Sequence, residues 1–155
     1  MFVYSTSIVD KNVENYLENK AQSLLQTHQL RRTNFRVELL KVFLKRSTAI
    51  AQTDIEAGFQ SGFDRVTLYR TLKSFEESGL IHRIIDEKSS PKFALCESTC
   101  SEHQHHDDHL HFNCTICHNT YCLHAFKMPA LTLPEGFTIA DWRLSAEGVC
   151  NLCNT

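Results

Sequence analysis

The sequence predicts an α+β fold in two unequal parts. Residues 1–95 form a winged helix-turn-helix preceded by an extra helix, and residues 96–155 form a small strand-rich unit braced by metal. Three observations carry this prediction. Helical hydrophobic periodicity recurs three times between residues 33 and 79, then gives way to two short β-rich runs. Charge changes sign along the chain: residues 20–95 carry 13 Lys/Arg against 8 Asp/Glu, while residues 96–155 carry two against seven. Two Cys-x-x-Cys pairs fall in the acidic part.

Residues 9–27 read as a polar helix with Val13, Tyr16, Leu17, Leu24 and Leu25 as its apolar positions. In TNFRVELLKVFLK, Phe35, Leu39, Leu40, Val42 and Phe43 recur at helical spacing, and Thr33 can cap the first turn. AQTDIEAGF is a short helix opened by Gln52 or Thr53. In SGFDRVTLYRTLKSFEESGLI, Asp64 is the N-cap and Val66, Leu68, Leu72 and Phe75 supply core positions. Gly79 stops that helix, because glycine accepts the left-handed backbone that closes a last turn. LIHRII and PKFALC, separated by the polar turn DEKSS and Pro91, read as a β-hairpin. In a winged helix-turn-helix of this order the third helix enters the major groove and the hairpin lies along the DNA backbone. Beyond Cys96, HLHFNC and NTYCLHAF read as strands around a Cys knuckle, and LPEGFTIADWRLSAEGVC as a turn followed by a strand. So small a unit needs a metal or a partner chain to complete its core.

The composition is that of a soluble globular protein, and no apolar run approaches the ~20 residues that cross a membrane. The N-terminus lacks the basic-then-apolar pattern of a signal peptide. The expected compartment is the cytoplasm, where paired Cys serve as metal ligands more often than as disulfides. A basic segment joined to an acidic, ligand-rich one points to a polyanion binder fused to a cation binder.

HQHHDDHLHFNCTICHNTYCLH, running from His103 to His124, holds seven of the nine His and three of the seven Cys. Cys114 and Cys117 pair with Cys150 and Cys153 across 32 intervening residues. Each knuckle aims two thiolates at one centre, and two knuckles complete a tetrahedral shell at ~2.3 Å per Zn–S bond. Four protein ligands leave no open position, so this site is structural. A redox dithiol of the thioredoxin kind would sit in a βαβ pattern, which the sequence lacks.

RVTLYRTLK carries the nucleic-acid signal. Arg65, Tyr69 and Lys73 share one helix face, flanked by Thr67 and Arg70. Tyr69 offers a ring to a thymine methyl and a hydroxyl to a phosphate, and Arg65 and Arg70 reach phosphate or guanine. Arg31, Arg32 and Arg36 would add backbone contacts, as would Lys88 or Lys92 on the wing. Neither HExxH nor the H-x-E with P-C-x-x-C pair of zinc deaminases occurs, which argues against a zinc enzyme.

Together, TxxR (Thr33 to Arg36), VTLYRTLKSFEESGLIHRI and HxH-xx-CxxC…CxxC resemble the ferric uptake regulator (Fur) family over roughly residues 25–153. The resemblance implies a homodimeric, metal-sensing transcription factor with an N-terminal winged helix and a small C-terminal α/β dimerisation domain. Its partner would be double-stranded operator DNA, with no membrane or small organic ligand. Tyr69 and Arg70 fall on the family's DNA-contacting pair, and Cys114, Cys117, Cys150 and Cys153 on its structural zinc site.

The resemblance also implies a regulatory site at the hinge between the two parts. His109 and His111 match its HxH, and two residues apart on a strand they share a face. Cys96, at the end of the wing strand and on the same strand face as Ala94, and Asp86, in the wing, complete the expected ligand set. Cys100, Glu102, His103 and Cys122 are reserves. Imidazoles with a thiolate suit zinc better than iron. The family's His before its second domain helix is missing from RSTAIAQTDIE, against an iron or peroxide sensor. Trp142 stands where a further site would place a His, and His118 where the knuckle usually has Gly. His105, His106, Asp107 and Asp108 read as a solvated loop, and His28, His82, His118 and His124 as surface or hydrogen-bonded residues. The expectation is a zinc-responsive repressor resembling the zinc uptake regulator (Zur) branch, with one structural and one regulatory Zn2+ per subunit. The alternatives are an iron or peroxide sensor on the same scaffold and a His-rich zinc-buffering protein.

Overall fold

The computed structural model describes residues 6–59, 64–85, 91–96, 109–127, 132–139 and 143–154. Asp86, Lys88, Cys100, Glu102, His103, His105, His106, Asp107, Asp108 and Trp142 lie outside them.

Helix α1 spans Thr6–Thr27 and packs on α2, Asn34–Leu44. Its buried stripe is Leu17, Ala21 and Leu25, one turn apart. Val13 and Tyr16, expected on that stripe, are exposed. Lys41 of α2 is buried at this contact, where it pairs with Glu14 and, at 2.9 Å, with Glu38. Burial opposes the ammonium charge, but these two carboxylates outweigh it and raise the pKa. Thr33 caps α2 by accepting from the Arg36 N–H at 3.3 Å.

Strand β1 (Ile50–Ala51) leads directly into α3 (Gln52–Gly58). Helix α4, Arg65–Glu77, starts where Asp64 accepts from the Val66 N–H at 3.2 Å, and it stops at Gly79, whose φ is 73°. Leu68, Thr71, Leu72 and Phe75 of α4 are buried, while Val66, expected in the core, is exposed at the first turn. Strands β2 (Ile81–Ile84) and β3 (Lys92–Leu95) form the wing, in an antiparallel sheet of order β1-β3-β2 that sets His82 opposite Ala94. Helices and wing enclose one core that includes Leu39, Leu40, Ile55, Phe75 and Phe93.

The second sheet has the order β5-β4-β6, from β4 (His109–Cys114), β5 (Thr120–Lys127) and β6 (Ser145–Gly148). Strand β4 runs antiparallel to β5, with His111 opposite Cys122, and parallel to β6. Beyond residue 96 the described residues contain strands and no helix. Their buried hydrophobic side chains are Cys114 and Cys150, with no buried aliphatic or aromatic among them. Among the described residues this sheet therefore has no aliphatic or aromatic core of its own.

The two sheets meet on the wing face turned away from the helices. Ala49, Ile84 and Ala94 form a small apolar patch there, and Cys122 packs on it. The Ala49 N–H donates to the Thr120 carbonyl at 2.9 Å. Lys92, expected along a DNA backbone, is turned to this junction, donating to Thr120 Oγ1 at 2.8 Å and to the His118 carbonyl at 3.2 Å. No described helix is long and apolar enough to cross a membrane.

Candidate metal centres and nucleic-acid interface

Cys114 ends β4, Cys117 sits in the turn that follows, and Cys150 and Cys153 frame the turn after β6. The parallel pairing of β4 with β6 brings the two knuckles together, and all four Sγ atoms lie within 4.8 Å of one another. Cys117 Sγ and Cys150 Sγ are 3.8 Å apart. Two sulfurs on one tetrahedral zinc stand about 3.8 Å apart, so the cage fits the ion. The Cys150 N–H donates to Cys114 Sγ at 3.4 Å. His118 closes the first knuckle at φ 59°, the left-handed backbone for which glycine is the usual choice, and this turn directs its carbonyl to Lys92.

Electrostatics within the cage divide the sulfurs. Backbone N–H groups of Cys117 and then Cys150 pull the Cys114 thiol down to about 6. The Tyr121 hydroxyl, 3.5 Å from Cys150 Sγ, lowers the Cys150 pKa. Contact with Cys150 and then burial push Cys153 up to about 12. The fold thus eases deprotonation of Cys114 and Cys150 and opposes that of Cys153, which would have to lose its proton to bind a cation as thiolate. Metal uptake here releases protons.

A second donor cluster lies at the junction of the sheets. It comprises His82 from β2, His109 and His111 from β4, and Cys122 from β5, with one donor atom from each, all within 4.8 Å of one another. His111 Nε2 is 3.0 Å from His109 Nε2 and 3.3 Å from His82 Nε2, and Cys122 Sγ is 3.5 Å from His82 Nε2. Around a tetrahedral zinc, two imidazole nitrogens stand about 3.3 Å apart and a nitrogen and a sulfur about 3.6 Å, so these spacings fit.

The cluster differs from the expected hinge set. His109 and His111 are in it, Asp86 lies outside the described residues, and Cys96 is displaced to its rim. Antiparallel register explains the last point. Ala94 stands opposite His82, so Cys96, two residues on, meets the far edge of that ring, with Sγ 3.5 Å from Nδ1. Cys96 can orient the His82 ring from there, as an outer hydrogen-bond partner does for a ligating imidazole. His82, read from sequence as a surface or hydrogen-bonded residue, is only 3% exposed. The available signal was its alternation with Ile84, which puts both on the wing face away from the helices. His124 packs beside His109, with ring centroids 4.3 Å apart and the rings tilted by 40°.

The third site is the exposed face of α4. Arg65, Thr67, Tyr69, Arg70 and Lys73 all face solvent there. Arg36 does not join them. It is half-buried, donating to the Arg31 carbonyl at 2.9 Å and to Ser74 Oγ at 3.1 Å, which ties the start of α2 to α4. Glu56 of α3 stands behind the face. Its Oε1 accepts from Tyr69 OH at 2.9 Å and from Gln52 Nε2 at 3.1 Å, and its Oε2 lies 3.4 Å from Arg65 Nη2. Gln52, then Tyr69 and Arg65, hold the Glu56 carboxyl below the usual carboxylate range. Nothing in the sequence singled out Glu56.

The ferric uptake regulator family model matches residues 27–144. Among solved structures, a zinc uptake regulator complexed with zinc and DNA has a TM-score of 0.60 at 21% identity, covering 90% of this chain and 93% of that one. Holo XcZur has a TM-score of 0.60 at 16% identity, covering 90% and 96%. The Helicobacter pylori ferric uptake regulator Fur, described with three functional metal binding sites, has a TM-score of 0.52 at 14% identity, covering 91% and 93%. At such identities these likenesses carry the fold. No curated protein matches. The family match spans well over half of the chain, which therefore belongs to the ferric uptake regulator family, a family of DNA-binding transcription regulators and not of enzymes.

Proposed function

We propose that this chain is a zinc-responsive transcriptional repressor that binds operator DNA as a homodimer once its hinge site is loaded. The carrying observation is that His82 belongs to the wing, while His109, His111 and Cys122 belong to the second sheet. A ligand held by all four fixes the wing, and with it α4, relative to that sheet. Three imidazoles and a thiolate form a borderline-soft donor set suited to zinc. When bound, Zn2+ supplies a tetrahedral centre at the hinge, and a second Zn2+ in the four-Cys cage supports the fold. On this reading His82 and Cys122 serve as hinge ligands with His109 and His111, and Cys96 orients His82.

Arg65, Thr67, Tyr69 and Arg70 meet operator DNA, and Arg36 supports α4 from behind. A second copy of the chain supplies what the second sheet lacks. Leu123 and Phe126 of β5 are exposed apolar side chains, as are Phe137 and Ile139, and pairing would cover them. The working compartment is the cytoplasm.

The test uses protein whose four-Cys cage is already filled. It is titrated with Zn2+, Fe2+ or Mn2+ against a duplex selected from a random pool by the zinc-loaded protein. Zinc is expected to tighten binding by about 5- to 150-fold, the usual range of allosteric coupling. A larger gain with Fe2+ or Mn2+ at comparable free concentration would reassign the sensed metal.

A further inference from the structure

The Glu56 contacts have a consequence for how DNA is read. Tyr69 has one hydroxyl proton, and it is committed to the Glu56 carboxylate at 2.9 Å. Gln52 Nε2 donates to the same hydroxyl, also at 2.9 Å, leaving it one acceptor site. A phosphate oxygen only accepts, so it can engage this hydroxyl only by displacing Glu56. The carboxylate also offsets the charge of Arg65, whose side chain is 75% exposed, and it repels an approaching phosphate. A base edge meets no such penalty. The exposed ring of Tyr69 can take a thymine methyl, and the carboxylate can accept from a cytosine or adenine amino group.

We propose that Glu56 is a specificity-determining residue of the DNA interface: by holding Tyr69 and Arg65 against α3 it weakens phosphate contact and so suppresses binding to non-operator DNA. The proposal rests on α4 being the recognition helix. It assigns to an acidic side chain, on the short helix behind that face, the task of raising the ratio of operator to random binding. Affinity is lost so that sequence discrimination is gained.

The test compares metal-loaded wild type with Glu56→Gln, on the duplex selected by wild type and on a scrambled duplex of the same composition, across a salt series. Glutamine keeps the size and can still accept from Tyr69, but it releases Arg65. One recovered phosphate contact steepens the dependence of log K on log salt by about 0.9 and tightens binding roughly fivefold at about 0.15 M salt. That gain is expected on the scrambled duplex and should be smaller on the selected one, so the ratio falls. In an Arg65→Gln background the same Glu56→Gln change should no longer steepen the salt dependence. Unchanged binding to the scrambled duplex would overturn the proposal, as would an equal gain on both duplexes. Wild type that shows no preference for its selected duplex would instead overturn the recognition-helix reading, and the proposal with it.

Discussion

Replacing His82 with asparagine is expected to abolish metal-dependent DNA binding while leaving the four-Cys cage filled. Among the described residues His82 is the only cluster donor from the wing; the other three belong to β4 and β5. Losing an outer partner of a metal ligand typically lowers affinity by 10–100-fold, and losing a direct ligand should exceed that range. The zinc-driven gain in DNA affinity, about 5- to 150-fold in wild type, should then fall to none. Asparagine keeps a polar side chain in the buried slot, so the Leu39–Phe75–Phe93 core should be undisturbed. Cys96→Ser should act more weakly, about tenfold in metal affinity, because Cys96 meets the Nδ1 edge and not the Nε2 edge. Zinc-dependent operator binding by the His82 variant, measured by anisotropy against buffered free zinc, must therefore be flat. A wild-type response would remove His82 from the sensor.

The second large effect is expected at the cage. Replacing Cys150 with serine should unfold the second sheet and dissociate the dimer, with the helical domain left folded. The asymmetry follows from where apolar surface is buried. The helices and wing share one continuous core, whereas the buried hydrophobic side chains described beyond Ala94 are the two cage cysteines. Zinc in a four-ligand structural site contributes on the order of 10 kcal/mol to folding at neutral pH. No other interaction within β4–β6 approaches that size, since each hydrogen bond contributes roughly 1 kcal/mol net. Hydrogen exchange should show lost protection in β4, β5 and β6 with α2 and α4 still protected, and sedimentation should show a monomer. Retained protection across β4–β6 would mean that the dimer interface, and not the cage, supports the sheet.

Local signals were legible in the sequence and long-range ones were not. Thr33, Asp64 and Gly79 mark helix ends because each acts on backbone groups within a few residues. The two Cys-x-x-Cys knuckles are visible for the same reason, although what brings them together is the parallel pairing of β4 with β6. His82 was obscured because its burial depends on β5 covering the wing from a distant part of the chain. Lys92 and Arg36 looked like phosphate-binding cations, yet each is turned inward to acceptors on another element, Thr120 and Ser74. Val13 and Tyr16 fit a helical stripe, but nothing among the described residues covers them. Glu56 had no motif to mark it, and its role follows from α3 lying against the first turns of α4.

On the proposed function, one metal joins the wing to the second sheet, apart from the metal that folds that sheet. An anomalous-difference map of zinc-loaded crystals at the zinc edge tests this most directly. Two peaks per chain are expected, one among Cys114, Cys117, Cys150 and Cys153 and one within bonding distance of His82 Nε2, His109, His111 and Cys122. A single peak in the four-Cys cage, or a second peak that leaves His82 uncoordinated, would contradict it.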